Sequence, residues 1–262
     1  LKKAEASDDK RKQKYGTSAP PRIVDPFDGI LLVDKPHGPT AHDVVGKIRK
    51  NFGLKKVGHG GTLDPQTTGL LVILINRGTK LSSIFINADK AYKGTMHLGI
   101  ATDSHDAQGK ILKQADFSDV TQEQLKAEMK KFTGDIFQTP PMISAVKVDG
   151  VPLYKHARKG QIIERKTRLI HVYEFTMLNF NPPEADFIMR CTKGTYVRTI
   201  CADIGEILGC GAHLSRLRRI RSGNNSVEDA TPLDEILKIS RDELLEKIIP
   251  MHKFSNFFPR HF

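Results

Sequence analysis

The sequence agrees with an α+β fold class, and three observations carry that agreement. Short apolar runs bounded by Gly, Pro and Asp-Gly signals read as strands and crowd the middle of the chain, with helical stretches inserted between hairpins. Capping boxes, Thr40 with Asp43 and Thr121 with Gln124, precede apolar residues at helical spacing. At 262 residues the chain can bury a substantial core and needs no more than one domain.

Residues 1–22 are polar and charged, end in Ala19-Pro20-Pro21 and lack apolar periodicity, which predicts a disordered basic arm before a domain spanning 23–252. Gly29–Val33 reads as a buried strand that stops at Asp34-Lys35-Pro36. The Thr40 box then opens a helix whose Val44, Val45, Ile48 and Phe52 share one face, with Gly53 as its stop. Gly58–Gly69 reads as a loop. Behind it, Leu70–Ile75 is rich in Val and Ile and much too short to cross a membrane, so it reads as a buried strand. Thr79–Ile86 predicts a short helix carrying Lys80, Lys90–Leu98 a strand, and Gly99–Gly109 a polar loop. The Thr121 helix buries Leu125, Met129 and Phe132, with Gly134 as its end. Ser144–Val148 predicts a strand running into a hairpin turn at Asp149-Gly150, and Leu153–Lys159 a short basic helix. Thr167–Leu178 and Ala185–Cys191 read as two long strands joined by an Asn-Pro-Pro turn. Val197, Ile200, Cys201, Ile204 and Leu208 mark one face of a further helix ended by Gly209, and Leu214–Arg221 is a strand with four arginines. Thr231-Pro232 and the Ser240 to Glu243 box start two last helices, and 253–262 reads as a tail.

Lys and Arg number 41 against 30 Asp and Glu, a net charge of +11 that favours a polyanionic partner, nucleic acid ahead of an acidic membrane. Cys191, Cys201 and Cys210 have no zinc spacing and no complete pairing, so they read as reduced core residues. No run reaches the roughly eighteen apolar residues of a membrane span, and no signal-peptide pattern opens the chain. The expectation is a soluble monomer of the cytoplasm, or of the nucleus or mitochondrion in a eukaryote. Asp103, His105 and Asp106 suggest a metal site at first sight, but carboxylates in a turn-rich segment more commonly cap backbone amides. No metal is therefore expected.

Four glycines in the twelve residues Gly58–Gly69 allow unusual backbone angles and close approach. Asp64 is held in extended or turn geometry by the ring of Pro65. A phosphate-cradling loop would need a lysine here, and Gly78-Thr79-Lys80 has the P-loop letters in the wrong order. On the residues alone Asp64 reads as a turn former or as a catalytic acid. Arg198 raises a second question, since the N-terminal end of a helix is the wrong end for a cation.

The string Gly58-His59-Gly60-Gly61-Thr62-Leu63-Asp64-Pro65-Gln66-Thr67-Thr68-Gly69 resembles the catalytic signature of the TruB family of pseudouridine synthases. Lys35-Pro36, Tyr92, Tyr154–Gly160, Lys193–Arg198 and Leu217 are also similar to that family, across about residues 28–252. The resemblance implies a pseudouridine synthase fold, with a mixed, mainly antiparallel central sheet and flanking helices and loops. It implies isomerisation of uridine to pseudouridine at position 55 in the T-loop of tRNA, by base flipping and without a cofactor. Asp64 would be the catalytic residue and Arg198 its partner. Tyr92 would pack on the base, Tyr196 would be the second aromatic, Leu217 would line the uridine pocket, and His59 would fill the space the flipped base leaves. Tyr92 also fits ordinary sheet packing. Lys35, Lys80, Arg216, Arg218 and Arg219 are expected at the RNA, where arginines on a strand suit phosphates. No PUA-domain sequence follows, so contacts are expected on the T arm, and T-loop-like hairpins in other RNAs are further candidates. Two other functions fit the same surface: a tRNA-binding folding chaperone, and the catalytic subunit of a guide-RNA particle. The Gly99–Gly109 loop, which resembles that of stand-alone tRNA enzymes, disfavours the second.

Overall fold

The computed structural model describes residues 25–257; the 1–22 arm and the last five residues of the 253–262 tail lie outside the described residues. Its strands are β1 (Gly29–Lys35), β2 (Val57–His59), β3 (Thr68–Ile75), β4 (Lys90–Leu98), β5 (Ile100–Thr102), β6 (Ile111–Gln114), β7 (Gly134–Gln138), β8 (Lys147–Val148), β9 (Val151–Pro152), β10 (Arg168–Asn181), β11 (Glu184–Cys191), β12 (Ala212–Ser222), β13 (Asn225–Ser226), β14 (Thr231–Pro232) and β15 (Ile249–Pro250). The α-helices are α1 (Ala41–Asn51), α2 (Ser82–Asn87), α3 (Gln122–Lys131), α4 (Leu153–Ala157), α5 (Val197–Ile207), α6 (Leu233–Ile236) and α7 (Arg241–Lys247).

The main sheet runs β14-β1-β3-β12-β4-β11-β10-β7, and along that path only β1–β14 and β3–β12 pair in parallel. It is the mixed, mainly antiparallel sheet that was expected. β3 shows why its sequence has no alternation: both of its faces are covered. Leu71, Ile73 and Ile75 join Val44, Val45 and Ile48 of α1 in one core, while Leu70, Val72 and Leu74 join Ile30, Leu81 and Phe85 in another. Each of these side chains contributes about 1.5–3 kcal/mol by burial, which makes β3 a firm mount for the turn before it. A third core lies under the other half of the sheet. There the stripe Val197, Ile200, Cys201 and Ile204 of α5 and Leu125 and Met129 of α3 pack on Met96, Leu98, Phe187 and Met189.

The capping boxes at Thr40, Thr121 and Ser240 are all formed. Asp149 (φ 50) and Gly150 (φ 79) make the hairpin turn, but its strands shrink to the pairs β8 and β9. The Gly58–Gly69 loop is shorter than expected, because Val57–His59 finds a partner in the far end of β3 and Thr68-Gly69 already belong to β3. Lys80 sits in a 3-10 turn, Asn76–Leu81, ahead of α2. Gly134 opens β7, α3 having closed at Phe132. Part of the Gly99–Gly109 loop is strand β5, which pairs with β6. Thr231-Pro232 is a short strand beside β1 before it starts α6. All three cysteines are buried and free. No described helix is long and apolar enough to cross a membrane.

Candidate active site

The site is built where β3 begins. Thr68 and Gly69 pair in parallel with Arg218 and Arg219 of β12, and a Cβ on Gly69 (φ +96) would lie 2.3 Å from the Arg219 carbonyl oxygen, so only glycine fits. In the turn before it, Thr67 N donates to Asp64 O (3.0 Å) and Gly38 N donates to Pro65 O (2.9 Å). The main chain is thus tied down while the Asp64 side chain stays 47% exposed.

Arg198, the second residue of α5, faces that carboxylate with Nη2 3.6 Å from Asp64 Oδ2. It is buried, at 4% exposure. Its Nη1 donates to Ser104 O (3.0 Å) and lies 3.6 Å from Asp106 Oδ2, and its Nη2 donates to Ile143 O. Two carboxylates and two carbonyls therefore explain a cation at the wrong end of a helix. Asp106 is itself buried, and its Oδ1 accepts from Ser104 Oγ (2.6 Å) and Gln108 N (3.1 Å). Asp103 Oδ1 accepts from Lys110 N (2.8 Å). These carboxylates cap amides and hold an arginine, and among the described residues no cluster is arranged for a metal.

Tyr92, on β4, packs its ring against the third core. Burial pushes its phenol up to about 12, and Arg219 lies opposite it in the β4–β12 register. Tyr196 caps α5; its N donates to Gln138 Oε1 (2.8 Å) and its O accepts from Gln138 Nε2 (3.0 Å), with the ring centre 5.7 Å from the Arg198 guanidinium carbon. Leu217 is half-buried and lines a groove of about 790 Å³ beside Gln66, Gln108, Lys93 and Arg218. His59 closes β2, where Gly61 N donates to its Nδ1 (3.4 Å); burial and then Arg219 lower its pKa.

Two expected surface cations turn out to be interior. Lys35 is fully buried at the end of β1, opposite Gly69, and its Nζ donates to the carbonyls of Pro36 (2.9 Å), Pro39 (2.8 Å) and Pro65 (3.0 Å). Burial pushes its pKa down to about 8. Arg219 is 2% exposed, because β12 turns it inward beneath the Asp64 turn. Arg218 is half-buried in a two-pronged pair with Asp34 (3.0 and 2.6 Å), Arg216 stands out and pairs with Glu184 (2.7 Å), and Lys80 is exposed.

With this geometry in place, the TruB family pseudouridylate synthase N-terminal domain matches residues 49–197, and the tRNA pseudouridylate synthase B C-terminal domain matches residues 198–253. The chain belongs to the TruB family. Its relatives include the tRNA pseudouridine synthase B of Opitutus terrae, 49% identical over 87% of this chain and 94% of the relative. That of Syntrophotalea carbinolica is 43% identical over 89% of this chain and 76% of the relative. Among solved structures, a Cbf5-Nop10-Gar1 complex matches with a TM-score of 0.69 at 30% identity, over 92% of this chain and 68% of that one. An H/ACA RNP bound to a substrate RNA containing 2′-deoxyuridine matches with a TM-score of 0.66 at 27% identity, over 92% and 67%. The boundary between the two TruB regions falls inside α5, so Asp64 and Arg198 meet from opposite sides of it. Asp106, Ser104, Gln138 and Asp34 contact Arg198, Tyr196 or Arg218 and were not assigned by sequence reading. Each acts on a partner distant in the chain, and only the Asx-type capping of Asp106 left a local trace.

Proposed function

We propose that this TruB-family enzyme converts the uridine at position 55, in the T-loop of tRNA, to pseudouridine, with Asp64 as nucleophile or base and no cofactor. The observation that carries this reading is the half-exposed Asp64 carboxylate held 3.6 Å from buried Arg198. The reaction breaks the N1–C1′ bond, turns the uracil and rejoins it through C5, which then gives up its proton. A fixed guanidinium favours the charged carboxylate that either role needs. The uridine must leave its stack, at a cost of a few kcal/mol, and the Tyr92 ring offsets part of that by packing on the base. Tyr196 and Leu217 complete the pocket, and His59 fills the vacated space in the RNA. Exposed Lys80 and Arg216, with Arg218 beside them, meet phosphates of the T arm. The enzyme works as a cytoplasmic monomer, and T-loop-like hairpins of other RNAs are accepted. Tritium release from 5-labelled, unmodified tRNA, without guide RNA, tests this: turnover at one T-loop uridine is expected. Tight binding without release would instead mean a chaperone, and release only with added guide RNA a particle subunit.

A further inference from the structure

Arg219 is a buried charge that the isomerisation, as set out above, does not use. The residue is 2% exposed, and no ion pair among the described residues includes it. Burying an unpaired cation is costly unless its donors are satisfied, so the partners it does have are informative. They are main-chain carbonyls: Nε donates to Leu70 O (2.8 Å), Nη1 to Thr62 O (3.3 Å) and Nη2 to Gly61 O (3.2 Å). Leu70 is the fixed end, on the fully buried β3. Gly61 and Thr62 are the chain just ahead of Asp64. Tyr92 is its direct neighbour on the next strand, opposite Arg219 in the β12–β4 register. One planar fork therefore joins the mount to the turn that carries Asp64, on the residue that sits opposite Tyr92 in the sheet.

We propose that Arg219 is a positioning residue: it fixes the turn that carries Asp64 and the Tyr92 ring in one register, so that carboxylate and stacking surface meet the flipped uridine at a set separation, and it touches no phosphate. This rests on the isomerase reading above. A lysine keeps the charge and can gather carbonyls around one nitrogen, as Lys35 does, but it lacks the three separately placed nitrogens by which Arg219 holds Leu70, Thr62 and Gly61, and an apolar side chain keeps neither.

The test uses the full chain, with Arg219→Lys, Arg219→Met, Tyr92→Phe and the two double variants, on unmodified tRNA. Single-turnover rates at saturating RNA, binding across a salt series and thermal melts are measured. Arg219→Lys should fold, bind within about twofold of wild type with an unchanged salt slope, and turn over about a hundredfold more slowly, the scale of a misplacement near 1 Å. Arg219→Met should be slower still. Adding Tyr92→Phe should cost less in either background than in wild type, because the two side chains act together. A salt slope lowered by about 0.7–0.9 with a normal saturated rate would make Arg219 a phosphate contact and overturn the proposal. Rates that simply multiply in the double variants, wild-type rates in Arg219→Met, or unfolding of both single variants would overturn it as well. A wild-type chain that binds tRNA without turnover would instead be a failure of the isomerase reading.

Discussion

Two arginines lie beneath the site and two stand at its rim. Arg198 and Arg219 are 4% and 2% exposed and spend their donors on main-chain carbonyls, whereas the side chains of Arg216 and Arg218 are 65% and 42% exposed and pair with Glu184 and Asp34. Three of the four are on one strand and carry the same charge. What separates them is burial: in the interior a guanidinium organises backbone, and in water it is available to a phosphate. Net charge alone therefore overstates how much of β12 meets RNA.

The largest expected effect falls on the group that the inner pair surrounds. Asp64→Asn keeps the shape and loses the charge, so turnover should drop below about one percent of wild type while tRNA binding holds. Substantial residual activity would leave the inner arginines nothing to serve. Arg198→Lys should cost about a hundredfold or more in the saturated rate, since an ammonium cannot reach the Ser104 and Ile143 carbonyls and face both carboxylates. A near-wild-type rate would erase the distinction between inner and outer. At the rim, Arg216→Gln should weaken binding and lower the log–log salt slope by about 0.7–0.9 without changing the target uridine. A shift of target would make it a base reader.

The smallest effect comes from Lys35, with a folded pKa of about 8 against an ordinary 10.5. Below pH 8 both states hold the proton, and the folded state bears the cost of a buried charge. Between 8 and 10.5 the unfolded chain binds more protons, so stability rises with pH. Urea unfolding at pH 7 and 9 should show Lys35→Met lacking about 1 kcal/mol of that rise.

Local chemistry was legible where the determinants are local. The boxes at Thr40 and Thr121, the Asp149-Gly150 turn and the stripe of α5 need only neighbouring residues. β2 was missed because three residues become a strand only when the end of β3 lies beside them. Lys35 and Arg219 were read as surface because such residues are almost never buried without partners, and their partners are carbonyls of a turn folded over them. Arg198 with Asp106, and Tyr196 with Gln138, join segments far apart in the chain, which a single sequence does not reveal. Asp64 itself stayed between turn former and acid until the family pattern was added.

The position of β12 bears on how the enzyme is made. It lies between β3 and β4 in the sheet but comes after both, and after β11, in the chain. A ribosome therefore releases the Asp64 turn long before the strand that supports it. Until residue 222 has emerged, β3 and β4 each present an unpaired edge, the kind of surface on which nascent chains pair wrongly. The same delay leaves the Asp64 turn without the Arg219 side chain that bonds Gly61 and Thr62 until β12 has been made.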